Sequence, residues 1–138
     1  MSSFLKKYIL YIALIQSIIA TLGSHFFSEI SGFIPCKLCW YQRIMMYPLV
    51  VILIVGIIEK NKHLNKYVLP LSIMGMGIAI YHNLLYYGVL TESVIYCTSG
   101  VSCTTKYIEW FDFITIPLLS LTAFTVITIL MLIYQKNQ

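Results

Sequence analysis

Four long apolar stretches, separated by short polar or charged segments, dominate the pattern of this chain. A helix needs about 20 mostly apolar residues to cross the roughly 30 Å hydrocarbon core of a membrane, and each stretch is about that long. Four such spans leave no room for a soluble domain, so the sequence predicts an all-α membrane protein, a four-transmembrane-helix bundle with one transmembrane domain over residues 1–138. The predicted spans are residues 8–28, 40–58, 67–91 and 113–135, and the longer connections are residues 29–38 and 92–112.

The first stretch has an alternative interpretation as a cleaved signal peptide, because Lys6 and Lys7 precede it as a positively charged n-region would. It is longer than the usual apolar core of about 7–15 residues. It also runs through the sequence Leu-Gly-Ser-His at residues 22–25 without a clear A-x-A cleavage site. These features favour a transmembrane span.

The composition agrees with a membrane protein, since 59% of the residues are hydrophobic and 10% are charged. Ordinary soluble domains have about 45–50% apolar and about 25% charged residues. Disorder is excluded as well, because disordered chains are poor in apolar residues. The net charge of +4 does not predict nucleic-acid binding, since the nine Lys and Arg residues form no basic stripe.

The distribution of positive charge predicts the orientation, because Lys and Arg accumulate in the cytoplasmic loops of membrane proteins. Six of the nine basic residues fall on one side of the predicted spans. Both termini are therefore predicted to be cytoplasmic, and the connections 29–38 and 92–112 to face outward from the membrane. The six residues on the cytoplasmic side are Lys6, Lys7, Lys60, Lys62, Lys66 and Lys136.

All four cysteines, Cys36, Cys39, Cys97 and Cys103, fall on the predicted outward side, where disulfides can form and persist. The first pair forms a C-x-x-C motif at the start of the second span. Backbone N–H groups at a helix N-terminus stabilise a thiolate, and Arg43 adds a positive charge four residues after Cys39. Because the thiolate is the reactive form, this arrangement favours a redox-active pair.

Two other interpretations of the cysteines stay open on the residues alone. Four thiolates could bind a structural zinc ion, although the C-x5-C spacing of the second pair departs from the usual spacing. The cysteines could instead form two static disulfides that tie the outer loops together. Both alternatives describe a small membrane protein that is not an oxidase.

Arg43 and His82 lie within the predicted spans, and an ionisable group within a membrane helix usually marks a functional site. Arg43 lies so close to its span end that its side chain could instead extend to the headgroups. His82 lies about 13 Å, or nine residues, before the predicted span end at residue 91. The two groups could bind the polar head of a lipophilic cofactor, although His82 could equally bond to a neighbouring helix.

The segment Pro35–Arg43, with the sequence PCKLCWYQR, resembles the signature P-C-x-L-C-x-Y-x-R of the disulfide bond formation protein B (DsbB) family. The resemblance continues through Tyr81 and His82, through the two cysteines of the second outer loop, and through residues 110–117. The short chain and the close spacing of Cys97 and Cys103 resemble the compact BdbC-like branch of Gram-positive bacteria. The better-known branch has an insert between its second pair of cysteines that is missing here.

The resemblance implies a thiol oxidase of the bacterial cell (inner) membrane that passes electrons to a membrane quinone, either menaquinone or ubiquinone. It implies that an extracytoplasmic thioredoxin-like thiol oxidase (DsbA-like or BdbD-like) reduces the outer cysteine pair, which is then reoxidised by the C-x-x-C pair. Vitamin K epoxide reductase-like oxidases are less similar, because their redox pair lies near the last span and this chain has no cysteine there. The implied catalytic residues are Cys36, Cys39, Cys97 and Cys103, the implied quinone-binding residues are Arg43 and His82, and no metal site is implied.

Overall fold

A computed structural model describes residues 3–32, 37–89 and 115–138 of the chain. These residues form four long α-helices, and a π-helical turn at Phe26–Ile30 continues the first of them. Each of the four is long and apolar enough to cross a membrane. The predicted all-α membrane fold with four spans is therefore confirmed, whereas the side on which the termini lie stays a prediction. The helices are α1 (Ser3–His25), α2 (Lys37–Ile58), α3 (Leu64–Tyr86) and α4 (Ile116–Lys136).

The helices form a closed bundle in which each packs against the next along the chain and α4 packs against α1. Hydrogen bonds supplement the apolar packing, as is common between membrane helices. Thr128 of α4 donates a hydrogen bond of 3.1 Å to the hydroxyl of Ser72 on α3. The fully buried apolar residues at the centre include Ala13, Leu49, Leu53, Val68, Ala79, Phe124, Ile127 and Met131.

Most of each helix surface faces away from the bundle. Within the apolar segment of the first span, only 17% of the residues are buried inside the protein. In the other three spans the buried share is at most 39%. Large aliphatic side chains such as Ile15, Ile19 and Val51 are more than half exposed. A soluble bundle would carry polar side chains on this outer surface. The apolar surface therefore fits contact with lipid.

The end of α3 differs from the sequence prediction, because this helix ends at Tyr86 and not at residue 91. Gly88 has a φ angle of 75°, which ends the helix in a left-handed conformation. The N–H of Val89 then donates a 2.9 Å hydrogen bond back to the carbonyl of Leu84, as in a Schellman motif. Hydropathy missed this boundary because the residues on both sides of it are apolar.

The first residues of α1, α2 and α4 also differ from the first residues of the predicted spans. Helix α1 begins at Ser3 and α2 at Lys37, before the apolar stretches begin at residues 8 and 40. Helix α4 begins at Ile116 and not at residue 113, because Thr115 is extended and its hydroxyl accepts a hydrogen bond from the Leu118 N–H. Helix ends depend on such capping contacts, whereas hydropathy reports only the apolar part of a helix.

Candidate functional site

Cys39 lies in the first turn of α2, as the sequence predicted, and its side chain is partly buried. It packs against a small apolar cluster between α2 and α3. The remaining predicted cysteines, Cys36, Cys97 and Cys103, lie outside the described residues. The cluster around Cys39 consists of Leu38, Leu85, Ile78 and Tyr81.

Arg43 lies one helical turn deeper in α2 than Cys39 and is only 7% exposed. Its Nε donates a 2.7 Å hydrogen bond to Oγ of Ser24, and its Nη2 donates another of 2.7 Å to the Ser24 carbonyl. The guanidinium carbon also lies 5.4 Å from the ring centre of Trp40. The side chain is therefore bound to the end of α1, which does not favour the interpretation that it extends to the headgroups.

The positive charge of Arg43 has neutral partners within the described part of the chain: a hydroxyl, a carbonyl and an aromatic ring. Two of its five N–H groups donate to Ser24. A buried cation without a carboxylate partner attracts a negative charge more strongly than one in an ion pair does. Arg43 can therefore stabilise a thiolate or an oxyanion on the same face of α2 as Cys39.

His82 is 2% exposed and lies four residues before the end of α3. This position is closer to the helix end than the nine residues predicted from hydropathy, because α3 ends at Tyr86 and not at residue 91. Nδ1 of His82 lies 3.3 Å from Nε2 of Gln42, which is 6% exposed. Gln42 and Arg43 are adjacent on α2, so His82 and Arg43 are brought to a similar depth in the bundle.

Two further polar atoms of α3 are buried on the residues next to His82. The hydroxyl oxygen of Tyr81 and Oδ1 of Asn83 have no hydrogen-bond partner among the described residues. The amide nitrogen of Asn83 donates to the carbonyls of Ala79 (2.8 Å) and Pro117 (2.9 Å), which joins α3 to the first turn of α4. A buried polar atom without a partner is unfavourable unless something else satisfies it.

His25, which carried no interpretable signal in the sequence, forms a second contact between α1 and α2. Its Nε2 lies 2.8 Å from the hydroxyl of Tyr47, and the two rings are stacked with centres 5.5 Å apart. Tyr47 lies four residues after Arg43, so Ser24 and His25 bind successive turns of α2. Sequence analysis missed Ser24, Gln42 and Tyr47 as site residues, although a glutamine within an apolar span is itself a signal of function.

The described residues contain no group of three or more His, Cys, Asp or Glu side chains arranged to hold a metal ion. Three of the four cysteines lie outside those residues, so the zinc interpretation of the full set stays untested. The described polar groups instead suit a polar organic ligand, since they comprise a guanidinium, an imidazole and a phenol set between apolar helices.

Comparison with known proteins gives a family match over nearly the whole chain. The family model described as "Disulfide bond formation protein DsbB" matches residues 6–134. Disulfide bond formation protein C of Bacillus subtilis is 50% identical, and the match covers 88% of each chain. Probable disulfide formation protein C 1 of Bacillus anthracis is 41% identical over 96% of each chain. A probable disulfide formation protein of Deinococcus radiodurans is 42% identical over 88% of this chain and 85% of its own. No solved structure matches the chain.

Proposed function

Because this chain belongs to the DsbB family of disulfide bond formation proteins, we propose that it is a quinone-dependent thiol:disulfide oxidoreductase of the bacterial cell membrane. In this proposal it reoxidises an extracytoplasmic thioredoxin-like thiol oxidase, and its cysteines face outward. The observation that carries the proposal is the position of Cys39 in the first turn of α2, with the buried guanidinium of Arg43 one turn deeper and not paired with a carboxylate in the described residues.

The first stage is thiol–disulfide exchange outside the membrane core. A thiolate of the reduced partner attacks the Cys97–Cys103 disulfide, most readily at Cys97, and forms a mixed disulfide. The second partner thiol then displaces Cys97, so the partner gains a disulfide and the loop pair becomes a dithiol. The same exchange with the Cys36–Cys39 disulfide, through a transient Cys36–Cys103 bond, moves the two electrons to the inner pair.

The described residues fit a quinone next to Cys39. The carbonyl oxygens of a quinone need hydrogen-bond donors. Arg43, His82 and Tyr81 are such donors and lie between apolar helices. The Tyr81 hydroxyl supports this fit directly, because it is buried without a partner in the described part of the protein. A bound quinone would supply the oxidising chemistry, taking up the two electrons and two protons that the Cys36 and Cys39 thiols lose as their disulfide forms again.

The roles of the protein groups follow from their charge and position. Cys39 provides the thiolate, which the N-terminus of α2 and Arg43 stabilise. Arg43 would also hold a quinone oxygen, and its charge would stabilise negative charge on that oxygen. His82 donates a hydrogen bond to the ring. Apolar surroundings strengthen each of these interactions because little water competes for them.

The need for a membrane oxidant follows from the redox potentials of such pathways. Strongly oxidising thiol oxidases have potentials of about −120 mV, whereas a glutathione pool as oxidising as that of the endoplasmic reticulum has a potential of about −200 mV. Since 30 mV corresponds to about 1.4 kcal/mol for two electrons, regeneration from such a pool would be unfavourable by about 4 kcal/mol. A membrane quinone would be the electron acceptor that such a pool cannot provide.

The proposal is tested by trapping thiols with an alkylating reagent after mixing the full-length protein, in lipid vesicles, with a reduced thioredoxin-like substrate. Substrate oxidation should require added menaquinone or ubiquinone. Cys39→Ser should abolish quinone-dependent oxidation of both this substrate and the small dithiol dithiothreitol. Cys97→Ser should lose only oxidation of the protein substrate, because dithiothreitol can reduce the inner pair directly.

Different results would identify the other interpretations. Substrate oxidation that proceeds equally well without quinone would contradict the proposed electron acceptor. Serine variants that lower thermal stability but leave the substrate's redox state unchanged would indicate structural disulfides. One zinc ion per purified chain, lost on replacement of any cysteine, would indicate a structural metal site.

A further inference from the structure

Gln42 is a buried polar residue that the proposed relay leaves unused. It lies on α2 between the aromatic residue Tyr41 and Arg43, three residues after Cys39, and is 6% exposed. Its amide nitrogen Nε2 lies 3.3 Å from Nδ1 of His82 on α3. An amide placed between apolar helices is unfavourable unless it is hydrogen-bonded, and His82 supplies the partner.

In this contact the amide NH2 group of Gln42 faces Nδ1 of His82, an arrangement that fits one tautomer of the histidine ring. An amide NH2 group only donates hydrogen bonds, so the Nδ1 atom that faces it must accept. A neutral imidazole carries one proton, on either Nδ1 or Nε2. With Nδ1 as the acceptor, the proton of His82 lies on Nε2, and the ring is a hydrogen-bond donor at that atom.

We propose that Gln42 is a positioning residue that holds His82 in the Nε2-protonated tautomer, so that His82 donates a hydrogen bond to the quinone. This inference rests on the proposed function. A quinone carbonyl only accepts hydrogen bonds, so the other tautomer would present it with a lone pair at Nε2. Gln42 acts through His82 of α3, whereas the adjacent residue Arg43 contacts Ser24 of α1, the helix on the other side of α2.

The test changes the hydrogen-bonding character of residue 42 with little change in size. Gln42→Glu replaces the NH2 donor by an acceptor and should reverse the tautomer, whereas Gln42→Met removes the contact and should give a mixture. The tautomer is measured by 15N NMR of histidine-labelled full-length protein in nanodiscs, with the His82 signal assigned by comparison with His82→Phe. The KM for a short-chain menaquinone should rise about fivefold or more in Gln42→Glu and less in Gln42→Met.

Asn83→Leu is the matched control. Asn83 is also a buried amide between helices, but it donates to the carbonyls of Ala79 and Pro117 and not to His82. Its replacement should lower thermal stability without changing the tautomer of His82. Because Gln42 acts through His82, Gln42→Met should have no additional effect on the quinone KM in a His82→Phe background.

Three results would overturn the inference. His82 protonated on Nδ1 in the wild-type protein would show that Gln42 does not set the proposed tautomer. A tautomer reversed in Gln42→Glu with an unchanged quinone KM would show that the tautomer is irrelevant to the quinone. A wild-type protein that oxidises its substrate without quinone would overturn the proposed function itself, and thiol trapping identifies that failure separately.

Discussion

Replacing Ser24 by alanine should loosen Arg43 while leaving its charge in place. Ser24 accepts two hydrogen bonds of 2.7 Å from the guanidinium, one at its hydroxyl and one at its backbone carbonyl. Alanine keeps the carbonyl and removes the hydroxyl, so Nε of Arg43 loses its partner and Nη2 retains one. The perturbation therefore changes how firmly the guanidinium is held, in a side chain that is 7% exposed.

The size of the effect follows from the bond that is removed. Hydrogen bonds to charged groups contribute about 1.5–3 kcal/mol in proteins, but side-chain bonds between membrane helices average only about 0.6 kcal/mol. With one of the two bonds retained, we expect a loss of about 1 kcal/mol. Because about 1.4 kcal/mol corresponds to a tenfold change, the quinone KM should rise by up to about fivefold if Arg43 binds the quinone.

The assay is steady-state quinone reduction by the full-length protein in nanodiscs, with dithiothreitol as the electron donor. Ser28→Ala is the control, since the Ser28 hydroxyl is exposed and donates only to the His25 carbonyl one turn earlier. The KM should rise in Ser24→Ala and stay unchanged in Ser28→Ala, with kcat within about twofold in both. An unchanged KM in Ser24→Ala, or an equal rise in the control, would refute the argument that Ser24 positions Arg43.

Two further predictions concern packing and the unsatisfied hydroxyl. A Cβ atom at Gly75 would overlap the buried ring of Phe124, whereas one at Gly77 would have no neighbour within 4 Å. Gly75→Ala should therefore destabilise the protein by about 1–3 kcal/mol, whereas Gly77→Ala should not destabilise it. The free energy of unfolding of both variants can be measured in mixed micelles. An equal loss of stability in the two variants would contradict the prediction. Tyr81→Phe removes a buried hydroxyl without a described partner, so it should stabilise the quinone-free protein by about 1 kcal/mol. It should also reduce the rise in thermal midpoint on adding quinone, and a less stable quinone-free variant would contradict the prediction.

The four spans were predictable because each requires only a sufficient length of apolar residues, which is a local property. The position of Cys39 at a helix start was predictable for a similar reason, since Pro35 directly precedes the C-x-x-C motif and disfavours an earlier helix. The distance of His82 from the end of its helix was predicted incorrectly, because the backbone conformation of Gly88 ends α3 within an apolar segment. Gly88 is visible in the sequence as a residue that can end a helix, but hydropathy alone does not distinguish such a glycine from other apolar residues.

The partners of the polar residues were not predictable. Ser24, Gln42 and Tyr47 each contact a polar residue on a different helix. The sequence of their own helix does not reveal these partners. The same stretch of α2 sends Gln42 toward α3 and Arg43 toward α1, although the two are adjacent in sequence. A rotation of α2 about its axis would give both residues different partners, but it would leave the hydropathy of the span unchanged.

The sequence alone therefore determined that this chain is a four-span membrane protein of the DsbB family with a C-x-x-C motif at the start of its second helix. Only the tertiary structure decided that Arg43 binds Ser24 and that His82 faces Gln42. The physical reason is that transfer of apolar groups out of water adds up along a chain almost independently of neighbours. A hydrogen bond instead requires two groups within about 3 Å and correctly oriented, which depends on how the helices are rotated against one another.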